Sequence, residues 1–311
     1  MHDRERSRLI GYCEELPRKG IGISEPSEEL YGFLSPLEKR VAVTFRQVRK
    51  ELHRCIVQHD RVMAKRNFDI TMSSITHGNI QMTFSRGPHH FHVHSLLSKG
   101  IRIEDDSRNY FSPSEEVVGI NTRKKKSALF PYVVFHEVDH ARIGTPSARS
   151  AIREACRAVS LSAAASDAST QTCAQPLANL RQSIESLGLI DDISKESSTV
   201  MLRMLDGSIS DSKLAVEQWR IAGSRERRAW QFAQTQAHSL EKSHGFDFGV
   251  PQELLESQAH ACLGTYCAGH ALSLLCDGGI EALRQYSSPF LAYEEMPIEL
   301  KNAIESAKKA A

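Results

Sequence analysis

Several features that would assign a protein to a broad class are absent from this sequence of 311 residues. No apolar run is long enough to span a membrane, and no apolar stretch follows the charged N-terminus, as a secretory signal would require. The net charge is only +1, so the chain as a whole has no electrostatic attraction to nucleic acid or to a membrane surface. We therefore expect no membrane association, and any nucleic-acid binding would need a local basic patch.

Patterned cysteines and ligand-binding loops are also missing. The seven cysteines are odd in number and show no repeating spacing, which is typical of reduced thiols rather than of a disulfide framework. No glycine-rich phosphate loop occurs, and no aromatic-plus-basic pattern of a nucleic-acid module. We expect a cytoplasmic protein, or one exported without a standard signal peptide. Hydrophobic residues make up 41% and charged residues 25%, which is ordinary for a globular chain.

The most informative segment that is present reads His-Glu-Val-Asp-His and runs from His136 to His140. On an α-helix, residues four apart lie on one face, so both imidazoles can point at a single zinc ion. Glu137 stands beside the first histidine, where it can take a proton from a water molecule that the metal has made acidic. The pattern therefore predicts a zinc site with His136 and His140 as ligands and Glu137 as the catalytic base.

The flanking sequence predicts the helix that this motif needs. Pro131 suits a first helical position, no glycine or proline interrupts the following residues, and Gly144 offers a stop. The intervening positions are mostly apolar, which predicts a buried helix. A surface helix that happens to carry two histidines and an acid is the alternative interpretation, and the apolar flanks argue against it.

A catalytic zinc ion usually has a third protein ligand and one open position. A third histidine six residues after His140 is excluded, because Pro146 occupies that place. The other common solution is a carboxylate from a later helix, and the best candidate is Glu226. We predict a helix that starts after Gly223, with Glu226 in its first turn. Small residues at one-turn intervals on this helix, Ala229 and Ala233, would allow it to pack closely on the motif helix.

The two motifs together resemble those of gluzincin-type metallopeptidases. His-Glu-x-x-His is followed, from Glu226 onward, by Glu-x-x-Ala-x-x-Phe-Ala. The resemblance is to bacterial regulatory zinc peptidases that cleave repressors and to the zincin domains of antirestriction proteins, and it covers residues 115–240 at most. It implies a strand–helix–helix core in which His136, His140 and Glu226 bind zinc and Glu137 acts as base.

The spacing between His140 and Glu226 departs from the compact members of these families, because it is much longer here. Other acids and one histidine therefore stay open as the third ligand. These reserves are Glu217, Asp191, Asp192 and His94.

Two other functions compete with the peptidase. The motif also matches the His-Glu-x-Asp-His of peptide deformylases, but those enzymes use a cysteine from a Glu-Gly-Cys-Leu-Ser segment, and this chain has no cysteine between Cys55 and Cys156. The second is a non-catalytic regulatory protein that keeps a zincin fold to bind a partner. We expect a zinc-dependent hydrolase, a metalloprotease that cleaves peptide bonds in a peptide or protein substrate.

Hydrophobic periodicity predicts an α+β, zincin-like fold with a small, mainly antiparallel sheet, an active-site helix and a large helical C-terminal half. A β-hairpin is expected around Thr76–Asn79, and Val117–Ile120 is expected to be an edge strand that holds the substrate. Tyr132, His238 or His244 is expected to assist the developing oxyanion.

The predicted organisation is an N-terminal segment with a long helix (1–66), the sheet with the motif helix (67–157), an Ala/Ser-rich linker (158–178) and a helical part that completes the site (179–311). In the last part, helices are predicted at 177–188, 193–205, 211–221, 225–243, 251–275 and 296–310.

Overall fold

The computed structural model describes residues 46–48, 50–60, 67–76, 78–112, 115–142, 196, 199, 200, 203 and 208–309. Residues 50–60 are helical, within the range of the predicted N-terminal helix. The predictions for Gly144, Pro146, Asp191, Asp192, the 158–178 linker, the helix at 177–188 and most of the helix at 193–205 lie outside the described residues.

Six strands form one sheet in the described part of the chain. The order is β1-β2-β4-β6-β5, and β3 pairs with the end of β2. The strands are β1 (Asp69–Thr76), β2 (Asn79–Arg86), β3 (His89–His92), β4 (Arg102–Asp105), β5 (Tyr110–Ser112) and β6 (Val117–Ile120).

The predicted hairpin is confirmed by β1 and β2, which pair antiparallel. Alternation along β2 places Met82 and Phe84 on its buried face, and both are 0% exposed. In the turn, Gly78 has φ +84°, a left-handed conformation that favours glycine. The hydrophobic pattern thus sets which face of the hairpin meets the core.

The prediction of a mainly antiparallel sheet is confirmed, because four of the five strand pairings are antiparallel, and the fifth makes the sheet mixed. β4 and β6 run parallel, with Ile103 opposite Val118, while β5 pairs antiparallel with β6 on its other side. Consequently β6 is an internal strand with all four residues buried, and the expectation that Val117–Ile120 forms the edge is wrong. The edge is β5, whose three residues are too few for periodicity to reveal.

Four long helices follow or flank the sheet in the described residues: α1 (Phe130–Ala141), α2 (Asp211–His244), α3 (Gln252–Arg284) and α4 (Ile298–Lys309). The prediction of a C-terminal helix is confirmed by α4. The predicted break at Gly223 is wrong, because α2 continues through it and joins two predicted helices. Glycine is needed there for another reason: a Cβ atom would lie 2.6 Å from the ring of Phe290. None of these helices combines the length and apolarity that a membrane crossing needs.

Two large hydrophobic clusters make up most of the interior of the described part, beside a small third one formed by Val200, Ile209, Leu214 and Ile221. The first core packs the sheet, α1 and the second half of α2 together, with Phe84, Phe135 and Phe248 fully buried. The second core packs the later turns of α3 against residues 286–296 and α4, with Leu275 and Leu300 fully buried. The α+β class is confirmed, and α1 lies in the first core with the sheet on one side and α2 on the other.

Candidate metal centre

The helix that carries the motif forms where the sequence predicts it. α1 begins at Phe130 with Pro131 in its first turn, and its apolar residues face the first core. His136 and His140 point the same way, as residues four apart on a helix should. Their Nε2 atoms lie 3.1 Å apart. His136 is only 5% exposed, so the pair lies in the interior rather than on a surface face.

Glu226 is brought to these two histidines by α2. Its Oε1 lies 3.3 Å from Nε2 of His136, and its Oε2 lies 3.5 Å from Nε2 of His140. The small residues predicted to permit this approach, Ala229 and Ala233, are both 0% exposed within the first core. Glu226 lies in the middle of α2, not in a first turn, so packing between helices rather than a helix terminus sets its position.

The donor atoms fit a zinc ion in both spacing and chemistry. Ligands 2.0–2.1 Å from a tetrahedral zinc are separated from one another by about 3.3–3.4 Å. At this site the two Nε2 atoms are 3.1 Å apart, and each lies 3.3 or 3.5 Å from a different oxygen of the Glu226 carboxylate. Two imidazoles and one carboxylate are also a ligand set that zinc hydrolases use. Metal binding itself stays a prediction.

Glu137 supplies a second carboxylate to the same place. Ligand-type atoms of His136, Glu137 and His140 all lie within 4.8 Å of one another. Either acid is therefore near enough to complete a metal site. Contact with both Nε2 atoms favours Glu226 as the ligand, which leaves Glu137 as the free acid.

The surroundings shift the pKa values of the two carboxyl groups in opposite directions. Burial would raise the pKa of Glu226, but hydrogen bonds to His136 and His140 outweigh burial and hold it well below its ordinary value. Burial raises the pKa of Glu137, although the charges of the two histidines oppose this. Burial would lower the pKa of His136, yet the hydrogen bond and charge of Glu226 raise it. The two acids thus differ in proton affinity although they share one site.

Trp230 lies against both the carboxylate and the first histidine. Its indole N–H donates to Oε1 of Glu226 at 3.1 Å. Its ring centroid is 4.6 Å from that of His136. A donor fixed to one carboxylate oxygen orients the group, in the way that partners of metal ligands commonly do.

Tyr266 on α3 is a residue that sequence reasoning missed. Burial raises the pKa of Tyr266 far above its ordinary value, and the charges of Glu226 and Cys262 add to the effect, so this residue lies close to the carboxylate of the centre. No local pattern marks this residue, because only the packing of α3 on α2 brings it to the centre.

The three residues expected to assist an oxyanion have their contacts elsewhere. Tyr132 packs against Phe248 in the first core, with ring centroids 5.7 Å apart. His238 is exposed and pairs with Glu241 on its own helix at 3.6 Å. His244, at the end of α2, stacks on the ring of Phe246.

The reserve ligands in the described residues also lie apart from the centre. Glu217 pairs with Arg220, with 2.7 Å between Oε2 and a guanidinium nitrogen. His94 belongs to a short 3₁₀ helix after β3, and neither of its buried ring nitrogens has a hydrogen-bond partner there. The group of metal-capable side chains in the described part is this centre, where His136, Glu137 and His140 lie within 4.8 Å of one another and Glu226 contacts both histidines. It includes no cysteine, which the deformylase alternative would need.

A cleft of about 510 Å³ opens beside the centre, between α2, α3 and the segment that precedes α4. Trp230 belongs to its wall as well as to the metal centre. The remaining wall is mixed, with the amides of Gln231 and Gln234 near the apolar side chain of Leu263.

Comparisons of this chain with known protein families, with curated proteins and with solved structures found no match.

Proposed function

We propose that this chain is a zinc-dependent metallopeptidase with a zincin-like core. One observation supports the proposal above all others. Two imidazole nitrogens and a carboxylate from another helix converge at 3.1–3.5 Å, with a second carboxylate beside them.

Each residue of the centre has a distinct task in this proposal. His136, His140 and Glu226 would hold the metal, which when bound makes water acidic and polarises a substrate carbonyl. Glu137 would accept the proton from the attacking water and return it to the leaving amine. Trp230, whose indole N–H donates to Glu226, keeps that carboxylate oriented, and Tyr266 lies close to the same group.

A set of three proposed ligands favours a catalytic over a structural site. Structural zinc sites are closed by four protein ligands, whereas catalytic sites combine three ligands with a place for water. Here three donors are in mutual contact, and the His140 side chain is 20% exposed, so solvent reaches the centre from that side.

The surroundings favour an extended peptide as the substrate. β5 is the last strand of the sheet in the described residues and contacts α1, which carries the motif, and extended peptides commonly bind beside such strands. The cleft beside Trp230 offers both amide and apolar side chains, which suits a peptide better than a small uniformly charged ligand.

The decisive experiment compares Glu137→Gln with the wild type. The variant keeps the proposed ligands, so equimolar zinc is expected in both proteins by elemental analysis. Turnover of a peptide library is expected to fall by about 10²–10⁴-fold, the usual contribution of a general base. Glu241→Gln, which changes an acid on α2 away from the centre, serves as the control and is expected to keep full activity.

Three outcomes would contradict parts of this proposal. Turnover retained in Glu137→Gln would remove the assigned base. Bound zinc without turnover in the wild type would favour a non-catalytic binding protein. Cleavage restricted to N-formyl groups would favour the deformylase alternative.

A further inference from the structure

Asp139 is a buried acid inside the motif that the proposed chemistry does not use. It stands between Glu137 and His140 in the chain, and it is only 5% exposed. A buried carboxylate is costly unless a partner neutralises it. Its nearest partner comes from the other helix of the centre: Nε of Arg228 lies 3.0 Å from Oδ2 of Asp139. The guanidinium of Arg142, at the end of α1, lies 3.5 Å from the other oxygen.

The position of Arg228 on α2 explains how this ion pair can orient the helix. Arg228 follows Glu226 by two residues, so the two side chains leave the α2 axis in directions about 200° apart. Both nevertheless contact α1, Glu226 through His136 and Arg228 through Asp139. Two contacts in such different directions fix the rotation of α2 as well as its position along α1.

The small residues of this interface do not by themselves choose the register. At the contact with α1, α2 presents Ala229 and Ala233, which permit close approach, and Trp230, whose ring packs on that of His136 beside Glu226. Beyond the ion pair, the guanidinium of Arg142 lies 4.3 Å from the ring centroid of Phe232. The directional contacts therefore lie at the two charged pairs, where geometry is specific.

We infer that Asp139 and Arg228 are positioning residues, whose ion pair holds α2 in the register that keeps Glu226 at ligand distance from His136 and His140. The inference rests on the proposed function, because it assigns the pair a role in metal binding. It differs from simple stabilisation in that it predicts weaker metal binding in a chain that stays folded.

The test uses zinc ion alone, in competition with a chromophoric chelator, on the full chain. Arg228→Met is expected to weaken zinc binding by about 10–100-fold, the usual effect of losing a partner that orients ligands. The sign of the change is diagnostic. Loss of a positive charge near a cation site relieves Coulomb repulsion of the metal, which by itself would tighten binding. Unchanged or tighter binding would therefore overturn the inference.

Further variants separate positioning from other effects. Asp139→Asn is expected to weaken binding by a similar factor, and the double variant by no more than either single one, because the two residues act as one unit. Independent effects that add would contradict the inference. Glu217→Gln removes a charge on the same helix, within a pair that does not reach α1, and is expected to change affinity less than about 2-fold.

Folding defects and failure of the proposed function are distinguished by two more measurements. If Arg228→Met does not fold, Arg228→Lys replaces it: a partial loss of affinity is expected, and wild-type affinity would overturn the inference. If the wild type binds no zinc, the proposed function fails, and fluorescence of the metal-free chain still decides the positioning role. In a Trp219→Phe background, Arg228→Met is expected to shift the emission of Trp230 as Glu226→Gln does, and an unshifted emission would refute it.

Discussion

The two cores of this protein bury ionisable side chains in opposite ways. In the first core, His136, Asp139 and Glu226 are buried in contact with groups that carry charge. In the second core, the buried imidazole of His270 contacts groups without formal charge, and its Nδ1 is 3.4 Å from the hydroxyl of Tyr286. Burial, with the charge of Arg220, lowers the pKa of His270 to about 4, so this ring is neutral near pH 7.

Under the proposed function, this difference separates a functional from a structural use of buried polar groups. Desolvation of paired charges often costs as much as their attraction returns, so such pairs are inefficient as stabilising devices. Their concentration around α1 therefore points to chemistry. A neutral histidine bonded to a hydroxyl is an ordinary way to satisfy a polar group in an apolar core.

The contrast between the two cores is tested most directly by changing the proposed zinc ligands. Structural zinc sites with four ligands bind with roughly 10–16 kcal/mol, so one ligand contributes about 3 kcal/mol, which is about a hundred-fold in affinity. Glu226→Gln is therefore expected to weaken zinc binding by about that factor in a chelator competition, while His270→Gln leaves it unchanged. If Glu137→Gln lost affinity instead and Glu226→Gln did not, the roles of the two carboxylates would have to be exchanged.

A cavity in the second core should lower the stability of the protein without changing its affinity for zinc. Leu300 on α4 is 0% exposed, and Leu300→Ala is expected to lower the free energy of unfolding by about 2–4 kcal/mol in urea titrations. Zinc affinity of the folded variant is expected to stay within a factor of about two. Asn302→Ala, on the exposed side of the same helix, is the control and should change stability by less than about 0.5 kcal/mol. A large loss of zinc affinity in Leu300→Ala would show that the two cores do not act separately.

Metal addition should stabilise the protein through the first core. A ligand that binds only the folded chain contributes about 2.7 kcal/mol at a hundred-fold excess over its Kd. Zinc is therefore expected to raise the Tm of the wild type but not that of His140→Ala, as measured by thermal unfolding. Magnesium is expected to give no shift, since it prefers oxygen ligands. Equal shifts in the wild type and in His140→Ala would place the bound zinc elsewhere.

The smallest expected effect is a pH dependence from the second core. The pKa of His270 lies near 4 in the folded chain, below its unfolded value of about 6.5. The unfolded chain therefore binds the proton first, so this contribution is present above pH 6.5 and is lost as the pH falls towards 4. After allowance for solvent screening, we expect about 1–2 kcal/mol.

The measurement is the difference between the urea stability curves of the wild type and His270→Gln, recorded with a chelator present from pH 7.5 to 4. The wild type should lose stability more steeply with acidification than the variant. His90→Gln, at an exposed position on β3, should follow the wild type. Parallel curves for wild type and His270→Gln would refute the structural role assigned to this ring.

The sequence predicts the parts of the site that depend on residues close together in the chain. The motif spacing and its apolar flanks predict α1, because four-residue separation and burial are properties of one helix. Glu226 is also found from a local pattern, since the small residues Ala229 and Ala233 that follow it indicate close helix packing.

The parts that were missed depend on residues distant in the chain. Gly223 reads as a helix break, and only the ring of Phe290 explains why glycine stands inside a continuous helix. Tyr266 and Arg228 reach the centre through the packing of α3 and α2, which no local period encodes. The parallel pairing of β4 with β6 was missed because the short β5 between them in the chain lies on the far side of β6.

The exposed histidines of β3 have a practical consequence for anyone who counts metal in this protein. His89, His90 and His92 lie within four residues, and all three are exposed. Imidazole is the commonest protein ligand of transition metals, so such a cluster should retain even an untagged chain on an immobilised-nickel column. Stoichiometry is therefore best determined on material purified by another route, or on a chain in which these three positions carry glutamine.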